Sequence, residues 1–392
     1  MKEKTLVVAL TAASLFIAGL YGDSSKKSVE LINKSGNCEG GSCAAQVNSD
    51  EYRNLVNNTL QDNYVAEGHV GPYQELVNSQ QPVDKIPAGY NHPAEIDVNG
   101  CCDIFVTAAY TLWDVQQDGM RIGSTYSSPA GSFNDTLFMK DAYKSGFKVG
   151  IGANTRNDDW VVAANYTWFH HALNRHQGSF PFLSTPFVLI GGGGGGVVFT
   201  NSDHRWSFGI DILDVEMGRP FYQGRKLTVN PFFGLRTQWL SQRYKISGQT
   251  TLGATSQPTW KTSSWGIGPR FGFDLNFLLG EGFRLIGSAS GSLIYTHYST
   301  LSYKEPTASP AYSISFGSKN YLRGDADGKL GFGWGSYLGN KKYFLDFTAT
   351  YDFQVFWNQN MITWMMNNIS NVDASPGNLY LNGLTISGRW DF

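Results

Sequence analysis

From Cys101 to Phe392 apolar and polar residues alternate with a period of two, as in a strand with one face in apolar surroundings. The clearest run sets Tyr343, Leu345, Phe347, Ala349, Tyr351, Phe353, Val355 and Trp357 against Phe344, Asp346, Thr348, Thr350, Asp352, Gln354 and Phe356. A second sets Trp265, Ile267, Phe271, Phe273, Leu275 and Phe277 against Gly266, Gly268, Arg270, Gly272, Asp274 and Asn276. Such faces also suit a soluble sandwich, so length decides. The Tyr343 run spans about 15 residues, longer than the usual soluble strand and enough to cross a bilayer at a tilt. Aromatics mark both of its ends, and closure into a barrel leaves no unpaired edge facing lipid.

Short polar connections fall at Thr155–Asp159, Gln223–Lys226, Leu279–Gly282 and Gly339–Lys342. Longer irregular stretches fall at Gln116–Asp141, His171–Asp203, Gly248–Ser263, Lys304–Tyr321 and Asn358–Gly377. Short and long alternate strictly, which predicts an outer-membrane barrel with periplasmic turns, external loops and both termini in the periplasm. The expected fold is all-β, an antiparallel transmembrane β-barrel of about ten strands over residues 100–392. The stretches Gln116–Asp141 and His171–Asp203 leave room for more strands, to roughly twelve to sixteen. Broken alternation at Leu213–Val215 predicts a bulge.

The N-terminal quarter reads differently. Lys2 and Lys4 precede an uncharged apolar run from Leu6 to Leu20, with small residues at Ala18, Gly19 and Gly22. That pattern predicts a signal peptide over residues 1–22, and hence an envelope location in a Gram-negative bacterium. Residues 23–99 are polar, with Pro72, Pro82, Pro87 and Pro93 and no strand pattern, and are expected to form a periplasmic leader. Tyr52, Leu55, Val56 and Leu60 fall at helical spacing and allow one short amphipathic helix. A lumen plug and a self-association helix are the sharper readings of this leader.

Composition narrows the chemistry. The chain holds 25 Phe, 11 Trp, 20 Tyr and 45 Gly in 392 residues with only 16% charged residues, a mixture suited to strands, interfacial girdles and tight turns. Past residue 22 no apolar run reaches the roughly 18 residues a spanning helix needs. A net charge of −2 gives no basic field for nucleic acid, so no such partner is expected. Cys38, Cys43, Cys101 and Cys102 are candidate disulfide cysteines whose three intramolecular pairings stay open. Adjacent Cys101 and Cys102 bridge each other poorly, so they are expected to reach the first pair or another chain.

No metal or cofactor is expected. The cysteine pairs lack nearby histidines, and His170, His171 and His176 lack a carboxylate at ligand spacing. Asp325, Asp327 and Gly328 match a fragment of a calcium loop without its distal glutamate and read as a turn. The run Gly191–Gly196 lacks the Lys and Ser or Thr of a phosphate-binding loop. His297 facing outward and Ser290 facing inward do not make a nucleophile and base. The last strand sets Leu384, Ile386, Gly388, Trp390 and Phe392 outward. Its terminal aromatic resembles the signal read by the barrel-assembly machinery, an expected partner beside outer-membrane lipid.

Two stretches carry a family resemblance: Gly100–Met120, GCCDIFVTAAYTLWDVQQDGM, and Leu213–Leu240, LDVEMGRPFYQGRKLTVNPFFGLRTQWL. They resemble the Legionella-type major outer membrane proteins, a pore-forming family also found in chlamydia-related bacteria. The resemblance implies an abundant porin, often disulfide-linked into homo-oligomers, with no catalytic residues to carry over. With the apolar faces toward lipid, the lumen is expected to receive Lys148, Arg236, Arg270, Arg284 and Arg389 with Asp211, Asp274, Asp346 and Asp352. Such a pore-lining set predicts passive diffusion of small hydrophilic solutes and ions with weak selectivity. The alternative is a structural envelope protein or adhesin that uses the long external loops.

Overall fold

A computed structural model describes residues 93–94, 96–99, 103–127, 133–140, 142–155, 158–178, 181–188, 197–308, 311–369 and 376–392. The signal segment, the proposed helix near Tyr52, all four cysteines and the Gly191–Gly196 run lie outside the described residues. Everything described below belongs to one unit, Asn91–Phe392.

Ten long strands form the wall: β1 (Ile104–Gln117), β2 (Lys144–Asn154), β3 (Val161–Gln177), β4 (Val197–Gly218), β5 (Leu227–Thr250), β6 (Thr259–Gly280), β7 (Phe283–Glu305), β8 (Lys319–Leu338), β9 (Tyr343–Asn360) and β10 (Gly377–Asp391). Each pairs antiparallel with its neighbour in sequence, and β10 returns to β1 through the register Val106↔Trp390 to Gln117↔Leu379, which closes the ring. Closure gives each of the ten strands a hydrogen-bonded neighbour on both sides, so none of them is an edge strand of the ring.

The short turns, residues 93–94 and 96–99, and Phe392 share one end of this ring. There Ala94 donates to Pro220 (3.0 Å) and Asn99 to Lys341 (2.8 Å), while Phe392 and Ile104 exchange backbone hydrogen bonds. The β6–β7 turn shows why such connections stay short. Glu281 (φ 52) and Gly282 (φ 82) both take the left-handed conformation of a two-residue hairpin whose twist matches its strands. Close strand approach also needs glycine: a Cβ at Gly268 would lie 2.0 Å from the Leu293 carbonyl oxygen.

At the other end the expected loops prove shorter, because β3, β4, β5 and β6 run past the bilayer-length segments read from sequence. The stretches thought able to hide strands do so, outside the ring. Arg121–Tyr126 pairs with Phe133–Phe138 and with Phe182–Thr185, which joins the start of β4. The expected bulge at Leu213–Val215 is absent, since both neighbouring strands run in continuous register there; an irregularity falls instead between Phe199 and Asn201. The last loop contains a helix, α1 (Met361–Ile369). Asn360 caps it by accepting from the Thr363 backbone N–H at 3.2 Å.

The faces are inverted relative to a water-soluble protein. Phe271, Leu330, Phe332 and Phe353 lie 51–65% exposed on the outside, whereas Arg236, Arg270, Asp327 and Asp352 are buried within. An apolar exterior over an ionic interior is what a lipid surround requires.

Candidate functional site in the barrel interior

Strand alternation sends every second side chain inward, and the inward sets divide the interior into two zones. Midway along the strands, Arg236 of β5 donates through Nε and Nη2 to Asp214 of β4 at 2.7 and 2.8 Å. Its Nη1 reaches across the barrel to Asp325 (2.9 Å) and Asp327 (3.0 Å) of β8. Arg270 of β6 donates to Asp327 through Nη1 (2.7 Å) and Nη2 (2.8 Å) and to Glu216 of β4 through Nε (2.6 Å). Ser290 of β7 donates to the same Asp327 carboxylate at 2.5 Å. The planar fork of arginine lets one side chain join strands on opposite walls.

Around the wall from this cluster, Lys148 of β2 meets Asp352 of β9 at 2.9 Å, and Thr350 and Thr385 also donate to Asp352. The Lys148 ammonium lies 4.5 Å from the centre of the Trp113 ring, whose Nε1 donates to Thr385. A second tier sits nearer the turns. Arg284 pairs with Asp346 (2.6 Å) and donates to Asn276, and Arg389 pairs with Asp391 while stacking 3.6 Å over Phe105. Asp274 accepts from Asn230 at 3.3 Å.

Lys148, Arg236, Arg270, Asp274, Arg284, Asp346, Asp352 and Arg389 thus all point inward. Asp211 does not. Its neighbours Ile210 and Ile212 are buried inside, and Asp211 stands on the outer face, accepting from the Tyr166 hydroxyl (2.6 Å) and bonded to His170 (2.8 Å). The acids of β4 that do face inward are Asp214 and Glu216. The calcium-loop fragment is likewise no turn: Asp325 and Asp327 lie in the middle of β8 as the acceptors that join both arginines. Their signal was legible, since Arg323, Asp325, Asp327 and Lys329 alternate with Leu322, Gly324, Ala326, Gly328 and Leu330. The small residues on the outward face hid it.

Toward the loop end the interior turns apolar, contrary to the expectation of a polar lumen throughout. Trp113, Phe169, Trp206, Phe208, Ile210, Ile212, Leu240 and Trp260 from the wall pack with Met361, Ile362 and Met365 of α1 and with Ile122, Leu183 and Phe187 of the loop elements. Arg323 marks the boundary, 4.3 Å from the Tyr321 ring centre and 3.6 Å from Met361 Sδ.

Residues 106–392 match the family model described as the Legionella pneumophila major outer membrane protein precursor. No curated protein matches significantly. Among solved structures, the chain is similar to the outer membrane protease OmpT from Escherichia coli, with 11% identity over 74% of this chain and 97% of that one and a TM-score of 0.39. It is also similar to Ail, the attachment invasion locus protein of Yersinia pestis (11%, 74% and 99%, TM-score 0.21). A Pseudomonas aeruginosa FadL homologue gives 8%, 74% and 90%, with a TM-score of 0.27. At such identities the likeness is one of architecture alone.

Proposed function

The chain belongs to the Legionella major outer membrane protein family, and from that premise we propose that its barrel is a narrow outer-membrane channel through which small hydrophilic solutes and ions diffuse with weak selectivity. The observation that carries this reading is the unmatched polar lining. Inward-facing Thr111, Gln238, Gln242, Thr296 and Gln354 each hold a buried side-chain atom with no hydrogen-bond partner among the described residues. Groups of this kind are satisfied by water, so the lining suits a hydrated path. Alternating guanidinium and carboxylate groups give that path a transverse field without one dominant sign, which favours hydrophilic solutes and weak ion preference.

In this reading the turns and Phe392 face the periplasm and the loops face outward. The packing of α1 and the loop strands over the apolar zone is then the external constriction, and passage requires it to move. No catalytic step enters. Ser290 donates to Asp327 inside the barrel, whereas His297 bonds Asn320 on the outer side.

The same apolar zone favours one other reading, a closed barrel that acts as a structural envelope protein or adhesin through its loops. Single-channel recording of the refolded protein in a planar bilayer separates the two. Discrete steps with weak ion preference are expected, and they should grow when Met361 and Met365 are replaced by serine. Silence from both forms, each shown to be folded and inserted, would leave the structural reading in its place.

A further inference from the structure

On the outer face of β3 to β6, next to the loop end, a groove of about 540 Å³ is lined by His170, Arg205, Ser207, Ser241, Arg243 and Lys261, among others. Its floor is made of small groups because Gly209 stands opposite Ser241 and Ser241 opposite Ser263. Its cations stand side by side: Arg243 is the direct cross-strand partner of Lys261 on one side and of Ser207 on the other, and Arg205 faces Lys245. Direct and diagonal neighbours of this kind lie about 5–8 Å apart.

Three observations give the groove a ligand. Arg205, Arg243, Lys245 and Lys261 are exposed, and none forms a salt bridge among the described residues. The nearby acids are already engaged, Asp211 by Tyr166 and His170 and Asp203 by His176. One step below the serine pair, Trp239 stands opposite Trp265, and below them Leu235, Ile267 and Phe271 are 42–61% exposed. Tryptophans at that height mark the boundary between acyl chains and headgroups. The cations therefore sit where lipid headgroups begin, above a wall that suits acyl chains.

We propose that this groove binds the phosphorylated headgroup of a lipid in the leaflet next to the loops, with the arginines forking onto phosphate oxygens and the acyl chains lying along the wall below Trp265. Guanidinium forks and a lysine point charge are the donors that phosphate recognition uses. The proposal rests on the outer-membrane placement of the barrel and not on conduction, so a silent channel leaves it standing.

The test is binding of purified bisphosphorylated lipid A to the full refolded chain in detergent, followed by native mass spectrometry. The comparison forms are R205S/R243S/K261S and a control with the same charge change at the turn end, R225S/K226S/K341S. At roughly 1 kcal/mol per cation near an anionic surface, the groove variant should bind on the order of a hundredfold more weakly at low salt. The control should bind as the parent does. Equal binding by the groove variant, or equal binding of a dephosphorylated lipid A, overturns the proposal. Competition by millimolar inorganic phosphate without any preference for lipid would reassign the groove to soluble phosphate, and so overturn it too.

Discussion

Arg236 and Arg243 occupy the same strand, β5, on opposite faces of the wall. Inside, Arg236 is 2% exposed and bonds three carboxylates from two strands. Outside, Arg243 is exposed and holds no carboxylate among the described residues. Burial makes pairing obligatory for a charge that has lost its water, whereas a charge at an interface keeps hydration and stays available to a partner. The inner arginine therefore belongs to the barrel's construction and the outer one to its surroundings.

The comparison is broken most severely by removing the inner partner. Replacing Arg236 with alanine leaves Asp214, Asp325 and Asp327 crowded in a buried site, and is expected to cost about 3–5 kcal/mol, read as a lower urea midpoint for unfolding from micelles. An unchanged midpoint would show that water already shields these acids.

A smaller effect is expected at Asp103, just ahead of β1, where burial pushes the carboxyl up to about 6 from its ordinary 3.8, opposed by the hydrogen bond from Asn154. The folded chain thus holds this proton more tightly than the unfolded chain. The associated stability is present below about pH 3.8 and is lost as the pH rises through about 6. The substitution D103N should flatten the unfolding midpoint across that window, measured against the parent at each pH. The smallest change is expected outside: R243A should change the unfolding free energy by no more than about 0.5 kcal/mol, in keeping with a surface charge that no carboxylate among the described residues holds.

Much of the barrel is legible in the sequence. Period two fixes which residues of a strand share a face, and turn chemistry fixes where strands end, so an antiparallel barrel of about ten strands with four short turns was legible in the chain, while the structure settled the count in the ring at ten. Periodicity does not say which face is inside where the interior is apolar as well as the lipid. In β4 the inward set Trp206, Phe208, Ile210 and Ile212 is more apolar than the outward set Arg205, Ser207, Gly209 and Asp211. A reading that sends apolar residues to lipid therefore inverts the upper strand and misplaces Asp211. The same rule hid α1, whose apolar face has value only once there is an interior to cover.

By itself, then, the sequence determined which residues of a strand share a face, where the short turns fall and that the strands suit a closed barrel of about ten, because these depend on neighbours in the chain and on the need to pair backbone edges. Only the tertiary structure decided which acids meet Arg236 and Arg270, where the interior changes from ionic to apolar, and how Arg205, Arg243 and Lys261 gather on one patch. These features join residues far apart in sequence, and register around a closed ring is the physical quantity that brings them together.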